Sequence, residues 1–389
     1  MMMSSIATSC IAPPTLPKRE LIRAATLAPS ADNNQPWRFQ FDDQHRLIVE
    51  HDPSRALPSD IDRMFDLQAL GAAIENICIA ARQHGFAGRV TCLAGSAPAV
   101  ARIEFLPGAQ PDPLFPSLAE RCTCRRAYSR RPVANGTLSR LADAASAVAP
   151  DVRVDWITAR SQIRRMARLV AASDRGRFEY RAFHAELYRQ LRFSAADVER
   201  ARDGLDVRLL ALPPGGSLVL RMLRSWNTMS LLNRFGLSRL LTLSSALAVW
   251  QSGGVGAISV TRDAPADFLA AGRAFERLWL AAAREMVAIH PLGSLPILLR
   301  RLERGSVASG NRSDDRSICA SEGSRLSGSD AQRAEATAAD QHMSERIKLK
   351  LCEIIPAIAG RQVTMFFRIG YAPAEALKSL RRPPEDVLA

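Results

Sequence analysis

Lysine is nearly absent from this chain. Only Lys18, Lys348, Lys350 and Lys378 are lysines, and the rest of the 52 basic residues are arginines. They outnumber 39 acidic residues, for a formal net charge of +13, but they are spread along the chain and form no basic tail. That scatter argues against a dedicated nucleic-acid surface, and no nucleic-acid motif is recognisable, although nonspecific attraction to polyanions accompanies any such charge. The seven cysteines include no Cys-x-x-Cys pair, and Cys122 and Cys124 are too close together for a zinc site. With six scattered histidines, no metal is expected. An odd cysteine count without a secretory leader predicts a reducing compartment, so the expectation is a cytoplasmic protein. No uninterrupted apolar run is long enough to cross a bilayer, so no membrane partner is expected. What is plentiful is core material. The 389 residues are 47% hydrophobic and 23% charged, enough for one large domain or two smaller ones.

An internal repeat favours two. Gly71-Ala72-Ala73-Ile74-Glu75-Asn76-Ile77-Cys78-Ile79-Ala80-Ala81 aligns with Gly272-Arg273-Ala274-Phe275-Glu276-Arg277-Leu278-Trp279-Leu280-Ala281-Ala282. Gly, the second Ala, Glu and the closing Ala-Ala are identical, and both copies carry apolar residues at helical spacing. The offset of 201 residues is too long for a solenoid. It suggests two related halves, each with a buried helix; the alternative is chance similarity between two Ala-rich helices. On that view Glu75 and Glu276 are buried acids paired with arginine.

Alternating or continuous apolar runs predict strands over 37–41, 46–50, 89–93, 101–106, 152–158, 255–262 and 363–371. Helices are expected over 17–27, 59–85, 138–147, 161–172, 183–191 and 264–288. Strand pairs beside long helices indicate an α+β fold. Pro107, Pro111, Pro113 and Pro116 mark 107–120 as a linker between a first half, 1–106, and a second, 121–389. Residues 304–343 lose apolar periodicity in favour of Gly, Ser, Asp, Arg and Ala, and are expected to be disordered or a lid.

Two stretches carry candidate chemistry. Ala28-Pro29-Ser30-Ala31-Asp32-Asn33-Asn34-Gln35-Pro36-Trp37 offers hydroxyl and amide groups suited to a planar polar ligand. Arg121-Cys122-Thr123-Cys124-Arg125-Arg126-Ala127-Tyr128 alternates Arg, Thr and Arg, a fork suited to a phosphate if the backbone is extended; the plainer reading is a solvated basic patch.

Together these stretches resemble the FMN-dependent nitroreductase family. Arg-x-Thr-x-Arg is similar to that family's Arg-x-Ser-x-Arg phosphate motif, with Thr123 in place of Ser. Ala-Pro-Ser-x-x-Asn-x-Gln-Pro-Trp is similar to the loop that reaches the flavin from the other subunit of the homodimer. Pro291-Leu292-Gly293 resembles the loop whose backbone faces the flavin ring. Phe367 to Ala372 resembles the last core strand, and Lys378-Ser379-Leu380-Arg381 the basic segment that returns to the phosphate. An ordinary member carries the phosphate motif before the loop. In this chain the first half has only the loop and the second only the phosphate motif. The resemblance therefore implies a fused pseudo-dimer, similar to the Acg-like branch: two nitroreductase-like halves, each a mainly antiparallel sheet packed with long helices, in a monomeric chain with one FMN site between them.

The resemblance implies roles for Pro29, Ser30, Asn33 and Gln35 at the ring, for Arg121, Thr123, Arg125, Lys378, Ser379 and Arg381 at the phosphate, and for Pro291, Leu292 and Gly293 near the reactive nitrogen. No side chain is expected to be catalytic, since the flavin carries the chemistry. The implied activity is an NAD(P)H oxidoreductase passing hydride to a nitro-aromatic or quinone. Two alternatives stand beside it: a flavoprotein that binds or sequesters FMN without turnover, and a basic scaffold. His290, just before the ring-facing loop, is the histidine nearest this chemistry.

Overall fold

Two four-stranded antiparallel sheets organise the chain. The computed structural model describes residues 16–93, 98–304, 345–373 and 377–389. The first sheet contains β1 (Trp37–Phe41), β2 (Leu47–His51), β3 (Phe86–Cys92) and β4 (Ala99–Pro107), in the order β1-β2-β4-β3. The expected alternation holds on β1 and β2: Trp37, Phe39, Leu47 and Val49 are buried while Arg38 and Gln40 face water. The connecting turn closes on Asp42, whose Oδ1 accepts from the Gln44 and Arg46 backbone amides.

Between the sheets' strands, β6 (Leu191–Arg192) and β7 (Leu205–Asp206) form a small parallel pair. The second sheet contains β5 (Arg153–Ile157), β8 (Gly254–Val260), β9 (Ala288–Pro291) and β10 (Gln362–Gly370), in the order β5-β8-β10-β9. Every residue of β8 is buried, because both faces of this sheet are covered.

The helices are α1 (Lys18–Thr26), α2 (Met64–Gln83), α3 (Ser117–Glu120), α4 (Asn135–Ser146), α5 (Arg160–Asp174), α6 (Gly176–Glu179), α7 (Arg181–Gln190), α8 (Ala195–Ala201), α9 (Gly216–Met222), α10 (Trp226–Asn233), α11 (Leu237–Trp250), α12 (Pro265–Arg284) and α13 (Ser294–Glu303). Residues 345–354 are also helical. Among the described residues one segment, Ile61–Gln83, is long and apolar enough to cross a bilayer by length and composition, but its residues 64–81 are all buried and include Asp66 and Glu75, so it serves as a core helix.

α2 and α12 are the two repeat helices, and they pack on each other at their glycines. A Cβ on Gly71 would lie 2.1 Å from the Leu269 carbonyl oxygen, and one on Gly272 would lie 2.0 Å from that of Gln68. Backbone meets backbone here, and no larger residue fits. Residues 68 and 269 share the same offset as 71 and 272, so the two contacts interchange, as in a self-complementary interface. Beside this seam, Glu75 pairs with Arg273 at 3.0 Å and Arg277 at 2.8 Å, and Arg277 also reaches Asp112 at 2.8 Å. Asp112, with the buried Leu114 and Leu118, ties segment 107–120 along the core, and α3 lies within it.

Some boundaries differ from expectation. The helix expected to run to 288 ends at Arg284, because Met286 adopts a left-handed backbone (φ +55°) and turns the chain into β9. The helices α8 to α11 lie in a stretch assigned no structure from sequence; α11 packs against α5 and α10, and α8 lies beside β6. Residues 305–344, and with them nearly all of the expected polar insert, lie outside the described residues. The end of the chain returns to the first sheet: the Phe39 amide donates to the Val387 carbonyl and the Ala389 amide to the Phe39 carbonyl, both at 2.8 Å.

Candidate functional site

The loop after α1 is held by its own polar groups. Ser30 Oγ accepts from the Gln35 amide at 3.0 Å, and Asp32, Asn33 and Gln35 all take positive φ. Asp and Asn tolerate that geometry, so the local sequence fits a tight reversal. The loop faces two ways. Pro29 to Asp32 line a cavity of about 640 Å³. Asn33 and Gln35 turn instead to the chain's last segment. Asn33 donates to the Leu380 carbonyl at 3.1 Å and accepts from Arg381 Nη1 at 2.7 Å. Gln35 donates to the Arg202 carbonyl at 2.7 Å and accepts from the Arg382 amide at 2.9 Å. Of the four loop residues singled out in the sequence, Pro29 and Ser30 reach the cavity and Asn33 and Gln35 anchor the tail.

The cavity lies at the seam between the repeat helices. α2 contributes Gln68, Ala69 and Ala72, and α12 contributes Gly272, Phe275 and Trp279. Thr123, Arg125 and the run His290 to Gly293 complete it, with α9 and α11 on the remaining side. Its size is that of a cofactor or drug-sized ligand site, apolar with a few polar groups.

The Arg-Thr-Arg segment does not project its three side chains together. Thr123 and Arg125 face the cavity, while Arg121 is buried and donates to the Leu27 carbonyl at 2.7 Å. The cause is Glu276, a wholly buried carboxylate 3.2 Å from Arg121 Nε. Arg121 also stacks over Trp279, 4.6 Å from the ring centre. Burial pushes the Glu276 carboxyl up to about 7, against the pull of Arg121, Asn76 and Arg381. Burial, then Arg121, lowers Arg381 to about 9. The tail passes close by: Lys378 Nζ donates to the Ala119 carbonyl, and Ser379 is half-buried beside it. Lys378, Ser379 and Arg381 therefore lie near the Arg121 segment without lining the cavity.

Arg368 on β10 is the support the sequence did not single out. It is fully buried, donates to the Arg126 carbonyl at 3.0 Å, and lies over the Tyr128 ring at 4.1 Å. Its Nε donates to His290 Nδ1 at 3.1 Å. Since a guanidinium can only donate, His290 carries its proton on Nε2. Burial, Arg368 and Arg125 keep this ring neutral, with its pKa well below 6.5. In the run Pro291 to Gly293, Pro291 has no amide proton and the Leu292 amide donates to the Phe366 carbonyl at 2.7 Å. Gly293 is the remaining backbone donor of the three. A side chain there would meet only the Phe65 ring, at 3.6 Å. Asp32 and Arg177, 3.9 Å apart at another edge of the cavity, were also not expected. A charged pair formed by residues so distant in sequence leaves no local pattern to read.

No protein-family model matches this chain. An uncharacterized protein of Mycobacterium tuberculosis, MT1398, is 28% identical over 381 residues, covering 95% of this chain and 48% of that protein. The chain thus spans about half the length of the curated relative it matches. Among solved structures, it is similar to an FMN-bound nitroreductase from Desulfitobacterium hafniense, at 11% identity and a TM-score of 0.34, over 72% of this chain and 97% of the other. It is also similar to the FMN-dependent nitroreductase NfnB of Mycobacterium smegmatis in complex with NADPH, at 14% identity and a TM-score of 0.33, over 70% and 96%.

Proposed function

We propose that this chain is a nitroreductase-like flavoprotein that binds one FMN between two halves of a fused pseudo-dimer. One observation carries the reading. The loop Pro29 to Asp32 from one half and Thr123, Arg125 and His290 to Gly293 from the other meet in a single cavity, at the reciprocal contact of the repeat helices.

The residues suit the cofactor. Ala69, Ala72, Phe275 and Trp279 give flat apolar walls for an aromatic ring system. Thr123 and Arg125 supply a hydroxyl and a guanidinium for a phosphate. Arg121 and Arg381 add positive charge behind them, countered by Glu276, and the buried Nε of Arg381 has no hydrogen-bond partner among the described residues. That excess of buried cation favours an anion. Ser30 and Gly293 supply polar contacts to the ring edge, and His290 offers an Nε2 proton from a ring fixed by Arg368. Asn33 acts by holding Arg381. FMN, when bound, would accept hydride from NAD(P)H and pass it to a nitro-aromatic or quinone acceptor.

The test is purification with added FMN followed by mixing with NADH or NADPH under anaerobic conditions. Bleaching of the flavin near its visible maximum and its return with a quinone support the oxidoreductase. A yellow protein that neither bleaches nor passes electrons is the FMN carrier instead. A protein that takes up no FMN ends both readings.

A further inference from the structure

α11 packs Val249, Ala246 and Trp250 on the core at its end, but its first turns are inverted. Its buried positions include Ser238 and Thr242, while Leu240, Leu243 and Leu247, at i, i+3 and i+7, form its exposed stripe. The inward polar groups are satisfied: Ser238 donates to Glu179 at 2.8 Å and Thr242 to the Ser238 carbonyl at 2.9 Å. Leu240 and Leu243 stand 67% and 60% exposed. α9 continues the pattern. It buries no residue, and Leu218 and Met222 are 61% and 68% exposed. Phe235, in the turn between α10 and α11, is 84% exposed. Scattered apolar residues are ordinary on a surface, but three successive helices presenting them together need a partner.

The charge carried by this stretch of chain has one sign. Arg221, Arg224, Arg234 and Arg239 are all exposed on it, and no acidic residue occurs between Asp206 and Asp263. One carboxylate beside it, Glu179, is tied beneath α11 by Ser238. A second copy meeting this face about a two-fold axis would set arginine against arginine, with no carboxylate to relieve it. Protruding Leu, Met and Phe ringed by arginine instead match the interfacial zone of an anionic bilayer, where apolar side chains enter the acyl boundary and guanidiniums meet phosphates. The face also borders the cavity: Leu212, Val219 and Leu240 line it and are exposed as well.

We propose that α9, α10 and α11 dock the chain on an anionic phospholipid surface, with the cavity mouth against the lipid, so that an apolar ligand enters the cavity from the membrane. The absence of an uninterrupted apolar run in the sequence bears on insertion and leaves surface docking open. The proposal rests on the surface alone, and flavin-free protein tests it equally well.

The experiment is flotation of the full chain with vesicles of phosphatidylcholine, alone or with about 30 mol% phosphatidylglycerol, at about 0.1 and about 0.5 M salt. The expected result is binding at least about tenfold stronger to the anionic vesicles, weakened by salt. Arg234→Gln with Arg239→Gln should lower it about tenfold or more, and Phe235→Ser with Leu243→Ser should abolish it. Binding to neither vesicle, or equally to both, overturns the proposal. So does a dimer in sedimentation that Phe235→Ser with Leu243→Ser dissociates, because the face would then be a contact between copies.

Discussion

Gly71 and Gly272 are exchanged by one reciprocal contact: each lies against the backbone carbonyl of the residue three positions before the other. Because the opposing atoms are main chain, neither helix yields to an added methyl without the pair moving apart. Gly71→Ala and Gly272→Ala are each expected to cost about 3 kcal/mol, the upper range for overpacking a close contact. One separation of α2 from α12 relieves both clashes, so the double variant should cost less than the sum. Denaturant unfolding of the three variants checks this, and strict additivity would mean that the two contacts are independent.

Glu75 and Glu276 occupy equivalent positions in the repeat and have different surroundings. Glu75 pairs with Arg273 and Arg277. Glu75→Ala leaves both guanidiniums beside the seam without that carboxylate and should destabilise by about 3 kcal/mol. Glu75→Gln, which keeps the volume, should cost a similar amount if charge rather than packing matters. A neutral effect of Glu75→Gln would assign the loss to the cavity alone.

The raised Glu276 carboxyl makes stability depend on pH. With a native value of about 7 against an ordinary 4.5, the folded protein holds this proton after the unfolded chain has released it. The stabilising contribution is complete below about 4.5 and is lost as pH rises through about 7. Relative to Glu276→Gln, the wild type should therefore lose thermal stability between those limits. Melting temperatures of both proteins at pH 5 and pH 8 check the sign. A relative gain for the wild type at pH 8 would mean that Arg121 and Arg381 outweigh burial.

Asn33 separates a ring contact from a tail anchor. It accepts from Arg381 at 2.7 Å and does not line the cavity. Asn33→Ala should weaken FMN binding about tenfold through the released guanidinium and leave riboflavin binding nearly unchanged. Equal losses for the two ligands would return Asn33 to the ring.

Much of the architecture is legible in the sequence. The repeat glycines and the Ala-Ala endings mark the two helices that pack together, and alternating or continuous apolar runs mark seven of the eight strands of the two four-stranded sheets. β9 is hidden because an Ala-rich helical pattern runs up to it and a methionine, Met286, makes the left-handed stop usually signalled by glycine. The α9 to α11 layer is hidden because its leucines face outward, so apolar periodicity points to the wrong side. In the site, Pro29, Ser30, Thr123, Arg125 and Pro291 to Gly293 converge. The inward turn of Arg121 depends on a carboxylate far along the chain, Glu276, and the anchoring of Arg381 by Asn33 depends on the fold closing on itself. Neither leaves a local pattern.

The central claim is a single FMN held between the halves by its phosphate as well as its ring. Absorbance titration of the wild type and of Arg125→Ala with FMN and with riboflavin tests it most directly. One FMN per chain is expected, with a loss of about tenfold or more in FMN affinity for Arg125→Ala and little change for riboflavin. No FMN uptake by the wild type, or equal losses for both flavins, would contradict it.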